Sequence, residues 1–384
     1  MRFEFATAGR IIFGAGSVGE VAPAAKSMGK RALLLTGAAQ ERIAALAVDL
    51  ALAGIDSSFF SVAGEPTVDL VRHGCRVARE AGCDIVIASG GGSTIDAGKA
   101  IAALLANPGD PLDYLEVIGA GKPLAAPSAP FIAVPTTAGT GSEVTRNAVL
   151  ASPEHRIKAS LRSPWMLPRL AVVDPELTFD LPPAITAATG LDALTQLIEP
   201  YVSLRANPMT DMYCLEGMSR AARSLVRAFR NGRDAEARTD MSMASLLGGL
   251  SLANAGLGVV HGFAAAIGGA FPAPHGAVCA VLLAHGVEAN VRALSARAPG
   301  SEPFERYRTV ARILTGNLAA TAEDGVEWVK RTCRELGIPA LRTYGIRDEH
   351  VAPLVENAAK ASSTKANPLP LTVDELGEML RQAL

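Results

Sequence analysis

The stretch from Asp84 to Asp96 reads DIVIASGGGSTID, and it decides the fold of the first half of the chain. Its first residues form a short apolar run that is typical of a fully buried strand, and three glycines then open a segment with helical periodicity. A glycine-rich turn between a strand and a helix lets a phosphate approach the free N–H groups at the helix N-terminus. The stretch therefore predicts a phosphate-binding turn, with a tight turn that simply needs glycine as the alternative.

Strands and helices alternate on both sides of this turn. We predict strands at Ala32–Thr36, Ser57–Val62, Phe131–Val134 and Leu170–Asp174, and helices at Gln40–Ala53, Val68–Ala81 and Thr94–Ala106. Such an alternation indicates a parallel sheet that is covered by helices on both faces and binds ligands at the carboxyl ends of its strands. The N-terminal segment MRFEFATAGRIIF alternates apolar and polar residues and predicts a further strand, whereas the prolines between Asn107 and Pro130 predict a long surface connection.

The periodicity changes in the second half of the chain. Beyond Pro182 and Pro183 it is helical almost to the C-terminus. We therefore predict two domains, an α/β domain with a parallel sheet over residues 1–176 and an all-α domain over residues 177–384.

The composition excludes several classes of protein. The 384 residues carry 36 basic and 38 acidic side chains, and this near-neutral balance argues against nucleic acid or an acidic membrane as a partner. An apolar share of 49% excludes disorder. The five scattered cysteines form no C-x-x-C pair, and the N-terminus lacks the apolar segment of a signal peptide, so we expect a cytoplasmic protein.

Residues 241–287 contain no Asp, Glu, Lys or Arg, and a run of this length could suggest a membrane span. Polar side chains and prolines, among them Asn254, His261, Pro272 and His275, interrupt the run too often for a lipid-facing helix. We therefore predict a buried helical core and no membrane partner.

A second loop, PTTAGTGSE at Pro135–Glu143, is rich in hydroxyl groups and glycine and follows a predicted strand. Two such loops at neighbouring strand ends can enclose a dinucleotide, one at the phosphates and the other at the nicotinamide side. The motif GAGSVG at Gly14–Gly19 matches G-x-G-x-x-G, but the next strand ends at Gly37 without the acidic residue that should hold the ribose. Cofactor contact and a simple turn both remain open for GAGSVG.

Four side chains of the second half form a candidate metal site. Asp192 and Gln196 lie four residues apart on one face of a predicted helix, and His261 and His275 lie in the uncharged run. One carboxylate and two imidazoles can supply three ligands of a divalent metal and leave a position open for substrate. Spacing alone does not separate this interpretation from two hydrogen-bonded core histidines and a carboxylate at a helix N-terminus.

The chain resembles the iron-containing (group III) alcohol dehydrogenase family over nearly its whole length, in the segments FGAGSV, GGGSTIDAGK, PTTAGTGSE, VDPELTFDLPP, GLDAL and PHGAV. The resemblance implies an N-terminal dinucleotide-binding α/β domain, an all-helical C-terminal domain and an active site in the cleft between them. It also implies an enzyme that interconverts a small alcohol with an aldehyde or ketone by hydride transfer, with NAD or NADP and with Fe²⁺ or Zn²⁺. A homodimer is expected.

The resemblance assigns roles to individual residues. Those implied in cofactor binding are Gly37, Gly91, Gly92, Ser93, Asp96, Thr136, Thr137, Thr140 and Lys158. The implied metal ligands are Asp192, Gln196, His261 and His275, of which Asp192 and His261 are also the catalytic residues. Asn147 and Phe263 are expected at the substrate, and GAGSVG becomes a structural turn.

Three departures from the family pattern affect the chemistry. Gln196 stands where the family usually has a histidine ligand, and an amide oxygen binds transition metals more weakly than imidazole does. Ala265 stands where a second histidine usually takes part in proton transfer. Gly37 leaves the second strand without the carboxylate that holds the ribose of NAD, so NADP is slightly favoured, and Arg42 is a candidate partner for its 2′-phosphate.

These departures leave two alternatives open. The first is a metal-independent reductase on the same fold, similar to the maleylacetate reductases, in which His261 and Gln196 polarise the carbonyl as hydrogen-bond donors. The second is a cofactor-binding protein without turnover.

Overall fold

A computed structural model describes residues 2–37, 40–155 and 157–384. The contacts within it divide the chain into two units. The α/β unit comprises Ala6–Thr137 and Gly141–Thr178, whereas the helical unit comprises Ala138–Thr140, Phe179–Leu384 and the N-terminal residues up to Phe5. The main passage from one unit to the other therefore falls between Thr178 and Phe179.

The described residues of the α/β unit form two sheets. The strands are β1 Ile11–Phe13, β2 Arg31–Thr36, β3 Asp56–Ser61, β4 Ile85–Gly90, β5 Phe131–Pro135, β6 Asn147–Ser152, β7 Ile157–Arg162 and β8 Leu170–Val173. Parallel pairing joins six of them in the order β1-β8-β5-β4-β2-β3, and β6 and β7 form a separate antiparallel ribbon. The predicted parallel sheet is confirmed, and the ribbon is an element that the sequence pattern did not indicate.

Strand β4 shows why the central strands read as continuous apolar runs. The helices of this unit are α1 Val21–Ala25, α2 Gln40–Leu52, α3 Val68–Glu80, α4 Gly92–Ala106 and α5 Pro111–Tyr114. Ile85 and Ile87 belong to a core that includes side chains of α1 and α2, whereas Val86 and Ala88 belong to a core with α3 and α4. Because neighbouring side chains on a strand point to opposite faces, both faces of β4 are covered by helices.

The register of the sheet brings three strand ends to one level. Thr36 of β2 pairs with Ser89 of β4, and Gly90 of β4 pairs with Pro135 of β5. Since the strands are parallel, the residues that follow them leave the same edge of the sheet: Gly37, Gly91 and Thr136. This is the edge at which parallel sheets bind ligands.

The helical unit accounts for the second half of the chain. Its helices are α6 Pro183–Val202, α7 Pro208–Arg230, α8 Ala235–Ala255, α9 Val259–Ala270, α10 His275–Arg297, α11 Glu302–Thr315, α12 Ala322–Glu335, α13 Val351–Lys360 and α14 Val373–Gln382. Together with the parallel sheet, this confirms the fold class that the sequence predicts.

The uncharged run, residues 241–287, forms most of α8, all of α9 and the first half of α10. By length and composition α10 could cross a membrane, but 83% of its most apolar window is buried inside the structure. Phe263 and Ile267 of α9 share a hydrophobic core with Val278 and Leu282 of α10. The run therefore forms the buried helical core that its composition predicts.

One predicted element is wrong in its extent. Among the described residues of the N-terminal segment, Ile11–Phe13 alone forms a strand, because this part pairs with β8. The predicted connection Asn107–Pro130 contains one short helix, α5. Asp110 begins this helix in a capping box with Asp113, and Pro111 occupies the first helical position, where its missing N–H costs nothing.

Candidate active site

Four potential metal ligands from three helices converge in the helical unit. Asp192 lies on α6, His261 on α9, and His275 and Cys279 on α10, and one ligand atom of each lies within 4.8 Å of those of the other three. The Nε2 atom of His261 lies 3.4 Å from Asp192 Oδ1, and the Nε2 atom of His275 lies 3.9 Å from the same oxygen. The structure therefore brings together Asp192, His261 and His275, and it adds Cys279. These four side chains are called the cluster below.

The start of α10 explains part of this convergence. The helix begins at His275, so Cys279 follows one turn later on the same face. A Cβ atom added to Gly276 would lie 3.2 Å from the carbonyl oxygen of Ala188 on α6, which is tighter than an ordinary contact. Glycine at this position therefore lets α10 begin close to α6, and its first side chain reaches Asp192.

Glu199, seven residues after Asp192 on α6, fixes the ring of His261. Its Oε2 atom lies 2.7 Å from His261 Nδ1, and its Oε1 atom accepts a hydrogen bond from the Val260 N–H at 2.7 Å. With the hydrogen on Nδ1 directed at this carboxylate, Nε2 keeps its lone pair for the cluster. Pairing with a carboxylate in this way orients metal-binding imidazoles and raises their basicity.

Several polar atoms of the cluster, and one of Gln196 on the same helix as Asp192, are buried and have no hydrogen-bond partner among the described residues. They are Asp192 Oδ1 and Oδ2, His261 Nε2 and Gln196 Oε1. The approach of His261 to Asp192 is close but does not have hydrogen-bond geometry. Leaving a buried polar group unpaired costs about 1–3 kcal/mol. A divalent cation would satisfy these atoms together, and carboxylate and imidazole donors suit iron or zinc. The residues present therefore fit a metal.

The cluster also changes the ionisation of its members. Burial opposes the charged form of Asp192, but the neighbouring His261 and His275 outweigh it and lower the pKa of this carboxyl to about 2. The Cys279 sulfur is the main cause that raises the pKa of His275 to about 9. Burial opposes the charging of His261, yet Cys279, Asp192 and Glu199 raise its pKa well above the usual value. The acidic side chains in and beside the cluster thus favour positive charge in a buried site.

The glycine-rich turn joins β4 to α4 in the α/β unit. Strand β4 ends at Gly90, and α4 begins at Gly92 with Gly91 as its N-cap residue, which has no side chain to satisfy the first N–H groups. A Cβ atom at Gly91 would already contact the Thr137 side chain of the second loop at 3.5 Å. The turn therefore offers free N–H donors and the positive end of a long helix to an anion.

Asp96 on α4 holds the second loop in place. One of its oxygens accepts a hydrogen bond from the Ser142 hydroxyl and lies 3.0 Å from Lys99 Nζ, and the other accepts the Val149 N–H at 2.9 Å. Lys99 is buried and also donates to Thr145 Oγ1 at 2.8 Å. These contacts tie the second loop to the helix that carries the glycine-rich turn.

The other predicted cofactor residues lie in different surroundings. Thr136 follows β5, and its N–H donates to the Gly90 carbonyl oxygen at 2.9 Å. Thr140 belongs to the short segment that groups with the helical unit. Lys158 lies on β7, where its Nζ atom is 3.0 Å from a carboxylate oxygen of Glu65. The structure therefore brings Thr136 to the turn, whereas Lys158 is engaged in an ion pair.

The two predicted substrate residues differ in exposure. Asn147 is the first residue of β6 and is half-buried, whereas Phe263 is fully buried in the core of the helical unit, which favours a packing role. The motif GAGSVG forms a turn in which the Val18 N–H donates to the Asp174 carboxylate at 3.1 Å. The side chain of Arg42 lies outside the described residues.

Sequence reasoning missed Cys279 and Glu199. Cys279 follows His275 by four residues, so a helix that starts at His275 would have placed both on one face. Glu199 follows Asp192 by seven residues, which is two turns of the predicted helix. Both spacings were visible in the sequence, but the start of α10 and the approach of α9 to α6 were not.

The Glu199 contact leads to a specific expectation. Replacing Glu199 with glutamine keeps the shape of the side chain but removes the charge that orients His261. We expect a loss of about 10–100-fold in metal affinity or in kcat. Metal content after dialysis, measured beside activity, would test this. Glu288→Gln, which changes an ion-paired carboxylate on α10 away from the cluster, is the control, and equal behaviour of the two variants would contradict the role of Glu199.

Two family models match most of this chain. Residues 8–175 match the family model described as iron-containing alcohol dehydrogenase, and residues 186–384 match that of the Fe-containing alcohol dehydrogenase family, C-terminal. The 1,3-propanediol dehydrogenase of Klebsiella pneumoniae is 36% identical over 367 residues, which cover 92% of this chain and 92% of that protein.

Two further comparisons extend over nearly the full length. The NAD-dependent methanol dehydrogenase of Bacillus methanolicus is 33% identical over 388 residues, which cover 97% of each chain. A crystal structure of a 1,3-propanediol oxidoreductase is similar with a TM-score of 0.92 and 34% identity, and it covers 100% of both chains.

Proposed function

The chain belongs to the iron-containing alcohol dehydrogenase family and is an enzyme that interconverts an alcohol with an aldehyde or ketone; from this premise we propose which of its residues carry the reaction. Asp192, His261 and His275 hold a catalytic divalent metal, and the glycine-rich turn binds a nicotinamide cofactor. The observation that carries the proposal is the cluster, in which both carboxylate oxygens of Asp192 and Nε2 of His261 are buried and lack hydrogen-bond partners in the part of the chain that the structure describes.

When bound, the metal would supply Lewis-acid chemistry, which polarises a carbonyl oxygen and lowers the pKa of an alcohol. Asp192 contributes a negatively charged oxygen, and Nε2 of His261 and of His275 contribute neutral nitrogens. Glu199 keeps His261 in the required orientation through its 2.7 Å contact with Nδ1. Gln196 is buried one turn after Asp192 and offers its amide oxygen as a weaker ligand. Both Fe²⁺ and Zn²⁺ suit this donor set.

A bound nicotinamide cofactor would supply the hydride chemistry that links the alcohol to the carbonyl compound. The N–H groups of Gly91, Gly92 and Ser93 bind its pyrophosphate at the N-terminus of α4, and Asp96 holds the second loop beside them. The hydroxyl groups of Thr136, Thr137 and Thr140, together with Lys158, are the proposed contacts of the nicotinamide and its ribose. Gly37 presents no carboxylate to the ribose, and this slightly favours NADP.

The proton of the alcohol would leave through water. Ala265 replaces the usual histidine one turn after His261 on α9, and it is exposed. Solvent therefore reaches this face of α9 and can accept a proton without a side-chain base. Small uncharged alcohols are the proposed substrates, because the relatives are named for methanol and 1,3-propanediol. Contact of Asn147 with substrate, a homodimer and a cytoplasmic location stay predictions of the sequence.

One matrix of assays tests this function. The purified protein is assayed with NAD⁺ and NADP⁺ against short primary alcohols and diols, and with the reduced cofactors against the matching aldehydes and ketones. Metal content is measured before and after chelation, and Fe²⁺ or Zn²⁺ is then restored. We expect turnover that chelation abolishes and one of these metals restores, because polarisation of the substrate oxygen depends on the metal.

Two other results would support the alternatives. Full activity in metal-free protein would favour a metal-independent reductase in which His261 and Gln196 donate hydrogen bonds to the carbonyl. Cofactor binding without turnover over the whole substrate panel, in protein loaded with stoichiometric metal, would identify a binding protein and contradict the proposed function.

A further inference from the structure

We propose that Sγ of Cys279 is a ligand of the catalytic metal, so that the donor set of this chain is one carboxylate, two imidazoles and one thiolate. The inference rests on the proposed function, because it takes Asp192, His261 and His275 as the other ligands. Cys279 lies one turn after His275 on α10, and its Sγ atom is 3.6 Å from Nε2 of that histidine. It is fully buried, so the cluster rather than solvent is its polar surrounding.

The known separations between the donors are close to those of neighbouring ligands on one metal. Zinc binds nitrogen and oxygen at about 2.0–2.2 Å and sulfur at about 2.3 Å, which places neighbouring ligands about 2.9–3.7 Å apart at angles of about 90–110° and leaves room for a further ligand position for substrate. The observed separations are 3.4 Å between His261 Nε2 and Asp192 Oδ1, 3.6 Å between Cys279 Sγ and His275 Nε2, and 3.9 Å between His275 Nε2 and Asp192 Oδ1. Two of these three separations fall within that range and the third is slightly longer, and the remaining pairs lie within 4.8 Å.

The unpaired atoms of the cluster indicate where the cation binds. Both oxygens of Asp192 and Nε2 of His261 are buried and lack a hydrogen-bond partner within residues 2–37, 40–155 and 157–384. A ligand atom of each of these residues lies within 4.8 Å of the Cys279 sulfur. A cation that satisfies these atoms is therefore within reach of the Cys279 sulfur.

Ligand strength favours a thiolate at this position. Gln196, where the family usually has histidine, offers an amide oxygen, which binds transition metals more weakly than imidazole does. Thiolate is also a soft ligand that favours zinc or iron over magnesium or manganese. The cysteine thereby compensates for the weak amide ligand.

Cobalt substitution tests the assignment without reading activity. Co²⁺ bound to thiolate shows an intense charge-transfer band in the near ultraviolet, and Co²⁺ bound only to nitrogen and oxygen does not. The test compares the wild type, Cys279→Ser and the control Cys214→Ser, which changes a fully buried cysteine on α7. We expect the band in the wild type and in Cys214→Ser, and its loss in Cys279→Ser. In competition with a chelator, Cys279→Ser should bind Co²⁺ at least about tenfold more weakly than the wild type does. Loss of a residue that merely hydrogen-bonds to a metal ligand already costs about that much.

The outcomes separate this inference from the proposed function. Cobalt-loaded wild type that turns over alcohol but shows no band overturns the thiolate ligand and leaves the proposed function intact. Unchanged band and affinity in Cys279→Ser do the same. Loaded protein that shows the band but no turnover on any substrate supports the ligand and contradicts the proposed function. If Cys279→Ser does not fold, the wild-type band, with Cys279→Ala as the second variant, still decides.

Discussion

Asp192→Asn is expected to lower kcat/KM for alcohol oxidation by about a thousandfold. The metal stabilises charge on the reacting oxygen by several kcal/mol, and about 4 kcal/mol corresponds to three powers of ten in rate. Asparagine keeps the size of the side chain and one oxygen, but it removes the negative charge that Asp192 places between His261 and His275. Steady-state kinetics and metal content of the variant, measured in parallel, would show whether rate and bound metal fall together.

A matched control is available in the same unit. Asp240 on α8 is also buried, but its carboxylate accepts hydrogen bonds from Arg220, Arg223 and Ser224 and has no part in the cluster. Asp240→Asn should therefore reduce stability and leave bound metal and kcat/KM near the wild-type values. If Asp192→Asn keeps its metal and most of its activity, or if the control loses as much of both, the metal role of Asp192 is wrong.

The sequence carries most of the information about the α/β unit, because local and global signals agree there. Strand β4 is apolar at every position from Ile85 to Ala88, and such a continuous apolar run is typical of a strand with both faces buried. The glycines after it are needed at the point where α4 begins. By contrast, the β6–β7 ribbon was not predicted, although the buried and half-buried side chains of Asn147–Ser152 alternate as they do in a strand.

The candidate site could be predicted only in part, because its contacts join distant parts of the chain. Glu199 and His261 pair across two helices and are 62 residues apart in the sequence. Nothing in the local pattern of either helix indicates which face meets the other. Cys279 shows the same limit in another form, since its position relative to Asp192 depends on where α10 begins and how closely Gly276 approaches α6.

The second large effect concerns cofactor choice. Gly37→Asp is expected to shift the ratio of kcat/KM for NADPH over NADH by about a hundredfold toward NADH. A carboxylate at the end of this strand accepts hydrogen bonds from the ribose hydroxyls of NAD and repels a 2′-phosphate. Two unit charges at 4 Å repel by about 4 kcal/mol in a partly screened site, and further screening brings this near the 2.7 kcal/mol that corresponds to about a hundredfold.

The structure offers room for this substitution. Gly37 does not have a left-handed backbone conformation, and a Cβ atom there would make only an ordinary contact, 3.5 Å from Thr94 Oγ1. It follows Thr36, which pairs with Ser89 next to the glycine-rich turn, so the new carboxylate would leave the sheet at the edge where that turn lies.

Gly37→Asn introduces a side chain of nearly the same size as aspartate without its charge and is the control. A shift in Gly37→Asp but not in Gly37→Asn would assign the effect to charge at the ribose. Equal losses with both cofactors in both variants would mean that this strand end does not contact the ribose, and the inference of NADP from the missing carboxylate would then lose its basis.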